Sequence, residues 1–271
     1  MPHPPPSPPP PSPPSSSPPP TDTVSRDLFL GGKLTLTQPR SGYRAGVDPV
    51  LLAASVPARA GQSVLDLGCG AGAAALCLGA RVAGLTLTGL ELQPQYAALA
   101  RRNASDNAIP FEVVEGDITA IPATLKSRQF DHVIINPPYY DRTRGSAAPD
   151  PARETALGGG AVTLAQWIEA AAKRLAPKGY LSVIQRAERL PDLVSAASAN
   201  LGSLQLLPLW PRPGRDSQLV ILRARKSGRA EFRLHSGILM HDAPTHESDQ
   251  ESYSPTIRAV LRDGAPLPFP A

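Results

Sequence analysis

Strand-like and helix-like runs alternate through residues 61–235. That alternation predicts an α/β fold, an open and mostly parallel sheet with helices on both faces. Two further observations point the same way. Ser63-Val64-Leu65-Asp66-Leu67 is an apolar run that breaks into Gly68-Cys69-Gly70-Ala71-Gly72, followed by the small-residue helix start Ala73-Ala74-Ala75-Leu76. Phe130-Asp131-His132-Val133-Ile134-Ile135 is a second strand-like run, and it ends in Asn136-Pro137-Pro138-Tyr139-Tyr140. Proline cannot donate to a ladder, and Pro137 biases Asn136 toward extended backbone, so the strand stops there. The carboxyl ends of strands are where open α/β sheets bind ligands.

In chain order, the first twenty residues hold 13 of the 33 prolines with Ser making up most of the rest. They have no apolar run, so residues 1–22 are expected to be a disordered tail of polyproline II character. They lack the charged start and apolar core of a signal peptide and the arginines of a transit peptide. Residues 23–60 read as a lead-in: hairpin-like alternation from Phe29 to Gln38 around Gly31-Gly32, then a short helix between Gly46 and Val56. After the glycine turn come a helix to about Ala83, a strand Leu85–Glu91, and a helix from Pro94 to about Asp106. The last opens on a first-turn proline and sets Tyr96, Leu99 and Ala100 at core spacing. A third strand, Phe111–Glu115, precedes Gly116-Asp117-Ile118. Beyond the Asn-Pro-Pro stretch lies a long irregular segment, Asp141 to Gly160, that carries Arg142, Arg144 and Arg153. A loop of that length beside a site reads as a substrate lid, or else as a solvated loop. A helix capped by Thr163, a turn at Pro177-Lys178-Gly179, a strand Tyr180–Gln185, a helix Pro191–Leu201 and strands Leu204–Trp210 and Gln218–Ala224 complete the body. Residues 236–271 read as a polar tail with one helical piece near Thr256–Arg262.

The chemistry follows from what stands at the strand ends. Glycines at 68, 70 and 72 admit a ligand close to the backbone, and the next helix offers free N–H groups. A dinucleotide site uses the same logic, but Asp66 would repel a diphosphate and suits a cationic amino group. Glu91, at the next strand end, is spaced for ribose hydroxyls, with Leu92 beside it. Asp117 and Ile118 can meet an adenine ring. The Asn136 oxygen and the carbonyl of Pro137 or Pro138 can accept both hydrogens of a planar NH2 group, while Tyr139 stacks on its ring. Each residue alone is also an ordinary loop or packing residue.

In this order they resemble class I S-adenosylmethionine (SAM)-dependent methyltransferases with an Asn-Pro-Pro-Tyr motif, from about Gly42 to about Arg262. Within that class the likeness is to bacterial tRNA (adenine-N6) methyltransferases that act just after the anticodon of a valine tRNA. It rests on Gln38-Pro39, Gly42-Tyr43-Arg44, Val47-Asp48, Leu51-Leu52-Ala53-Ala54, Asp66 through Gly72, Glu91-Leu92-Gln93 and Asn136 through Tyr139. Arg153, Trp167-Ile168 and Leu207 through Arg212 fit the same pattern. The resemblance implies a Rossmann-like sheet of seven strands, mostly parallel with an antiparallel edge strand. It implies SAM as cofactor and tRNA as partner. It also puts Tyr43, Arg44 and Asp48 at the cofactor edge, with Tyr139, Tyr140, Arg142, Arg144, Arg153, Arg212 and Arg215 toward RNA.

The net charge is +4, and seven Lys or Arg fall between Arg212 and Arg233. That stripe suits a phosphate backbone, or alternatively protects an edge strand from aggregation. The five His show no metal-ligand spacing, so no metal is expected, and no run of about 18 apolar residues predicts a membrane span. Cys69 and Cys77 are too far apart on turn and helix for a disulfide, which points to a reduced, cytoplasmic protein. Other functions stay open at this level: a release-factor glutamine methyltransferase, a DNA or ribosomal RNA adenine methyltransferase, and a SAM-binding scaffold without turnover. The first of these carries a helical substrate domain ahead of its methyltransferase body, and here that space holds only the proline tail and the lead-in.

Overall fold

The computed structural model describes residues 23–138, 162–243, 252–267 and 269. The proline-rich tail, Tyr139, Tyr140 and the proposed lid with Arg142, Arg144 and Arg153 lie outside the described residues.

The lead-in is an antiparallel hairpin of β1 (Val24–Phe29) and β2 (Leu34–Pro39), paired from Val24↔Pro39 to Phe29↔Leu34. Helix α1 (Asp48–Ser55) follows, with proline in its first turn and every residue from Pro49 onward buried. Then come β3 (Ser63–Leu67), α2 (Ala73–Arg81), β4 (Thr86–Glu91), α3 (Pro94–Asp106), β5 (Phe111–Glu115), the single turn α4 (Ala123–Lys126) and β6 (Phe130–Ile135). The second half holds α5 (Leu164–Arg174), β7 (Leu175–Arg186), α6 (Leu190–Asn200), β8 (Gly202–Trp210), β9 (Leu219–Arg225), and the two-residue strands β10 (Arg233–Leu234) and β11 (Ile238–Leu239). Helix α7 (Pro255–Arg258) runs into a wider turn over Ala259–Asp263.

The main sheet runs β10-β8-β9-β7-β6-β3-β4-β5, with β11 also on β8, nine strands among the described residues. From β7 to β5 every pairing is parallel. The sheet is wider than the seven strands expected because β10 and β11 add short parallel pairings along β8. The antiparallel strand, β9, is not the outermost one. It lies between β7 and β8 and pairs antiparallel with both. The turn expected at Pro177-Lys178-Gly179 is instead part of β7, which starts at Leu175 and absorbs these residues in a register shift opposite Phe130 and His132. Thr163 caps α5 as expected: its Oγ1 accepts from the Gln166 N–H and the Gln166 Oε1 accepts from the Thr163 N–H, a reciprocal pair that satisfies two helix-start donors.

Side-chain alternation along the strands divides the core into two layers. Val64, Ile134, Ile184 and Ile221 face α1, α2 and the lead-in, while Leu65, Val133, Val183 and Leu222 face α5 and α6. The described residues of 236–271, a stretch expected as a tail, join the first layer: Met240, Ile257, Val260 and Leu267 are buried there. The C-terminal segment passes so close to the hairpin that a Cβ on Gly31 would sit 2.5 Å from the Arg262 carbonyl oxygen. It also closes α1. The last carbonyls of that helix would be orphaned, but Arg81 donates to Ala53 O and Val56 O, Leu267 N–H to Ala54 O, and Arg223 to Ser55 O.

Asn103, on α3, ties the hairpin to the cofactor end of the sheet. Its Oδ1 accepts from Thr37 N–H at 2.7 Å, and its Nδ2 donates to Thr37 O at 3.0 Å and Ala71 O at 2.9 Å, with the side chain fully buried. Asn103→Ala leaves three buried backbone groups without partners, so urea unfolding should show a loss of about 2–3 kcal/mol. A loss under about 0.5 kcal/mol would mean the hairpin is held by its apolar contacts alone.

Candidate active site

The turn after β3 is built from backbone that only glycine adopts without strain. Gly68, Gly70 and Gly72 have φ of 68°, 55° and 86°. Gly68 and Cys69 both donate N–H to Leu90 O, at 2.8 and 3.1 Å, so the turn is pinned to the end of β4. A Cβ on Gly68 would meet the Trp167 ring at 2.6 Å, whereas one on Gly70 would have only the Tyr43 ring nearby, 3.8 Å away. Gly68 is thus required for packing under α5, and Gly70 lies in contact distance of the Tyr43 ring.

Three acids stand at successive carboxyl ends, as the sequence suggested. Asp66 is 3 % exposed and its Oδ2 accepts from the Ala75 N–H, in the first turn of α2, at 3.2 Å. Burial raises its pKa to about 7, partly offset by that hydrogen bond and reinforced by Glu91. Glu91 is also buried, and its two oxygens accept from Gly70 N–H at 2.8 Å and Gln93 N–H at 2.9 Å. A further backbone hydrogen bond comes from Leu92, so Glu91 holds the glycine turn itself and keeps about one of its four acceptor positions for a hydroxyl. Asp117 caps the turn at Ile118–Ala120 by accepting from Thr119 N–H at 2.8 Å. Leu92, exposed, and Ile118, half-buried, flank these two ends.

Asn136 follows β6 directly, beside the glycine turn, because Leu67 pairs with Ile135 in the parallel ladder. Pro137 is buried and Pro138 exposed. Between the ends of β3 and β6 opens a cleft lined by Gln38, Tyr43, Ala45, Pro49, Asp66, Gly68, Cys69, Ala71, Ala73, Ala74, Tyr96 and Asn136. No Lys or Arg is among them. Among the described residues a diphosphate would find the buried Asp66 carboxyl and no cation there, while the ammonium of an amino acid finds a partner in Asp66. This charge balance fits SAM. Cys69 contributes backbone only, since burial and the neighbouring carboxyls push its thiol pKa well up. Both cysteines are free and buried.

Sequence reasoning found the strand ends and, through the family resemblance, Tyr43 at the cleft edge, but not how Gln38 and Tyr96 brace it. Gln38 is buried and braces the roof, accepting from Ala45 N–H at 2.7 Å and donating to Asp27 at 2.8 Å. Tyr96, expected as core, does pack there, but its hydroxyl also lines the cleft and is bonded to the Tyr43 backbone. Of the lead-in residues expected at the cofactor edge, Tyr43 lines the cleft and hydrogen-bonds Asn136 at 3.1 Å. Arg44 instead turns to the hairpin and pairs with Asp27 at 2.8 Å. Asp48 begins α1 and is near enough to Tyr43 to act on it electrostatically.

The basic stripe divides in two. Because β9 is antiparallel, Leu219 lies opposite Arg186 at the ligand edge while Arg225 lies opposite Tyr180 at the far edge. Arg223, Arg225 and Lys226 are used internally at that far end. Arg223 stacks on Phe269 at 3.9 Å, Arg225 donates to Lys178 O at 3.1 Å, and Lys226 donates to Ala172 O. Arg212 and Arg215 follow β8 at the ligand edge, next to the 43 % exposed Trp210. Arg212 donates to Ala243 O at 2.7 Å, and Arg215 is exposed.

A parallel sheet with a glycine turn, acids at the next two strand ends and Asn-Pro-Pro at the fourth is the framework of a class I methyltransferase. Residues 46–202 match the methyltransferase small domain family, and the chain belongs to that family. Among its relatives, a Porphyromonas gingivalis protein named tRNA1(Val) (adenine(37)-N6)-methyltransferase is 30% identical over 241 residues, 83% of this chain and 91% of the relative. A Tolumonas auensis protein of the same name is 31% identical over 203 residues, 72% of this chain and 82% of the relative. A solved Agrobacterium tumefaciens protein, titled a predicted O-methyltransferase, superposes with a TM-score of 0.66 at 28% identity, covering 81% of this chain and 98% of the other. A Thermus thermophilus 16S ribosomal RNA N2 G1207 methyltransferase, solved with SAM and guanosine, shares the fold with a TM-score of 0.52 at 21% identity over 75% of this chain and 50% of the other.

Among the described residues no cluster of His, Cys, Asp or Glu could hold a metal, and no helix is long and apolar enough to cross a membrane.

Proposed function

We propose that this protein transfers a methyl group from SAM to the exocyclic amine of adenine in tRNA, at the adenine 37 of valine tRNA for which its relatives are named. The observation that carries the reading is Asn136-Pro137-Pro138 following β6 at the lip of a cleft that suits SAM. The relatives' names direct it to tRNA.

When bound, SAM supplies an electrophilic methyl on a sulfonium sulfur. Asp66 would hold the cationic amino end, Glu91 would receive a ribose hydroxyl, and Leu92 and Ile118 would flank the adenine, whose amine Asp117 would accept from. The backbones of Gly68, Cys69, Gly70 and Gly72 lie against the cofactor. Turning the target base outward costs little in an unpaired anticodon loop. Tyr139 stacks on it, and the Asn136 Oδ1 with the Pro137 or Pro138 carbonyl accept its two amine hydrogens. That would pull the nitrogen lone pair out of conjugation and free it for the methyl that SAM would supply, the sulfur leaving as a neutral thioether and the extra proton of the methylated amine passing to water. Positioning and electrostatics do the work, without a covalent enzyme intermediate. Tyr140, Arg142, Arg144, Arg153, Arg212 and Arg215 face the RNA on this reading, and binding weakens as salt rises.

The test is transfer of labelled methyl from SAM into separate pools of unmodified tRNA, ribosomal RNA, DNA and translation release factor. Label in tRNA alone supports the reading. Label in the release factor instead would make the acceptor a glutamine amide and overturn it.

A further inference from the structure

Asn136 offers an oxygen and an NH2 group that are nearly the same size and opposite in hydrogen-bonding sense. The reaction proposed above needs the oxygen outward. An NH2 turned toward the substrate amine would set donor against donor. At the end of a strand, before two prolines, nothing in Asn136 itself decides between the two orientations.

Tyr43 decides it. It is 93 residues earlier in the chain, on the lead-in rather than the sheet, and its Oη lies 3.1 Å from the Asn136 Nδ2. The tyrosine is itself held on both sides of its peptide backbone. Its N–H donates to the Tyr96 Oη at 2.9 Å, and the Tyr96 hydroxyl donates to the Tyr43 carbonyl at 3.1 Å. Its ring lies against Gly70, so the hydroxyl reaches over the cofactor turn to Asn136. Burial, with Asp48 and Asp66 nearby, pushes the phenol pKa upward, so the phenol stays neutral. An amide nitrogen can only donate, so the Tyr43 oxygen accepts from the Nδ2–H.

We propose that Tyr43 is a positioning residue for methyl transfer: its hydroxyl accepts from the Asn136 Nδ2 and thereby holds the Asn136 Oδ1 toward the substrate amine. The assignment rests on the reading of Asn136 as the acceptor for that amine. It gives the lead-in a part in the reaction beyond covering the cofactor, and it gives Tyr96 a part as the brace of Tyr43.

Tyr43→Phe keeps the ring over Gly70 and removes only the hydroxyl. The expected result is a roughly tenfold fall in kcat, about the rate equivalent of one neutral hydrogen bond. The KM for tRNA and the calorimetric Kd for SAM should stay within about twofold. In an Asn136→Ala background the same change should alter the residual rate by less than about twofold, since Tyr43 then has nothing to hold. A second readout needs no turnover. The side-chain NH2 resonances of Asn136, assigned by their loss in Asn136→Ala, should shift in Tyr43→Phe and exchange faster with water. Unchanged kcat, an equal loss in both backgrounds, loss of SAM binding, or unmoved Asn136 resonances would each overturn the proposal. Failure of the wild-type protein to methylate tRNA would instead count against the function, and the resonances would still report whether Tyr43 holds Asn136.

Discussion

Asn136→Ala should lower methyl transfer by about a thousandfold or more while SAM still binds with near-normal affinity. Loss of one preorganised group that acts mainly in the transition state typically costs a factor of ~100–1,000. Here the same oxygen both orients the amine and draws its lone pair toward the methyl, so the larger value is expected. Cofactor binding should survive because Asn136 stands at the lip of the cleft, while Asp66, Glu91 and the glycine turn are fixed by hydrogen bonds that do not involve it. Calorimetry with SAM and single-turnover transfer on the same preparation would check both halves. A variant that loses SAM binding would move Asn136 from the substrate to the cofactor.

Asp66→Asn should do the reverse, losing cofactor binding and stabilising the cofactor-free protein. Asp66 is buried without a cation, and its pKa stands at about 7 against an ordinary value of 3.8. Between those values the folded state binds more protons than the unfolded state, so this group's contribution to stability falls as pH rises from about 4 to 7 and stays low above that. Removing the charge should therefore raise stability at pH 8 by at most about 4 kcal/mol, as higher melting temperature. SAM should reverse the balance in the wild-type protein, because its ammonium favours the carboxylate. Affinity for SAM should thus climb with pH up to about 7, with proton release on binding below that point, and level off near pH 8. Asp66→Asn should flatten this profile and weaken binding by roughly a hundredfold. A variant that binds SAM normally and melts no higher would mean Asp66 serves only α2.

What the sequence made legible was the frame on which these residues sit. Phe130–Ile135 and Phe111–Glu115 are strands with the expected bounds, because each is a short apolar or alternating run closed by Pro or Gly. Asp66, Glu91, Asp117 and Asn136 could be placed at strand ends on the same grounds. The bracing of the roof could not, although the resemblance put Tyr43 at its edge. Gln38, Tyr43 and Asn103 act through partners 7 to 93 residues away, and no periodicity records which polar side chain will be buried against which backbone group. The basic stripe, open to two readings in the sequence, was ambiguous for a related reason. Seven charges look continuous along the chain, but an antiparallel strand carries some of them to the far edge of the sheet. The C-terminal segment looked polar because its buried residues, Met240, Ile257, Val260 and Leu267, are sparse and join the first core layer singly rather than forming a face of their own.

The most direct test of the central claim is to methylate unmodified valine tRNA with labelled SAM, digest it to nucleosides and identify the one that carries the label. N6-methyladenosine from the position after the anticodon, absent when Asn136→Ala is used, is the expected result. Label on a ring nitrogen, on guanine or on a ribose oxygen would contradict the claim that Asn136 and the proline carbonyls receive an exocyclic adenine amine.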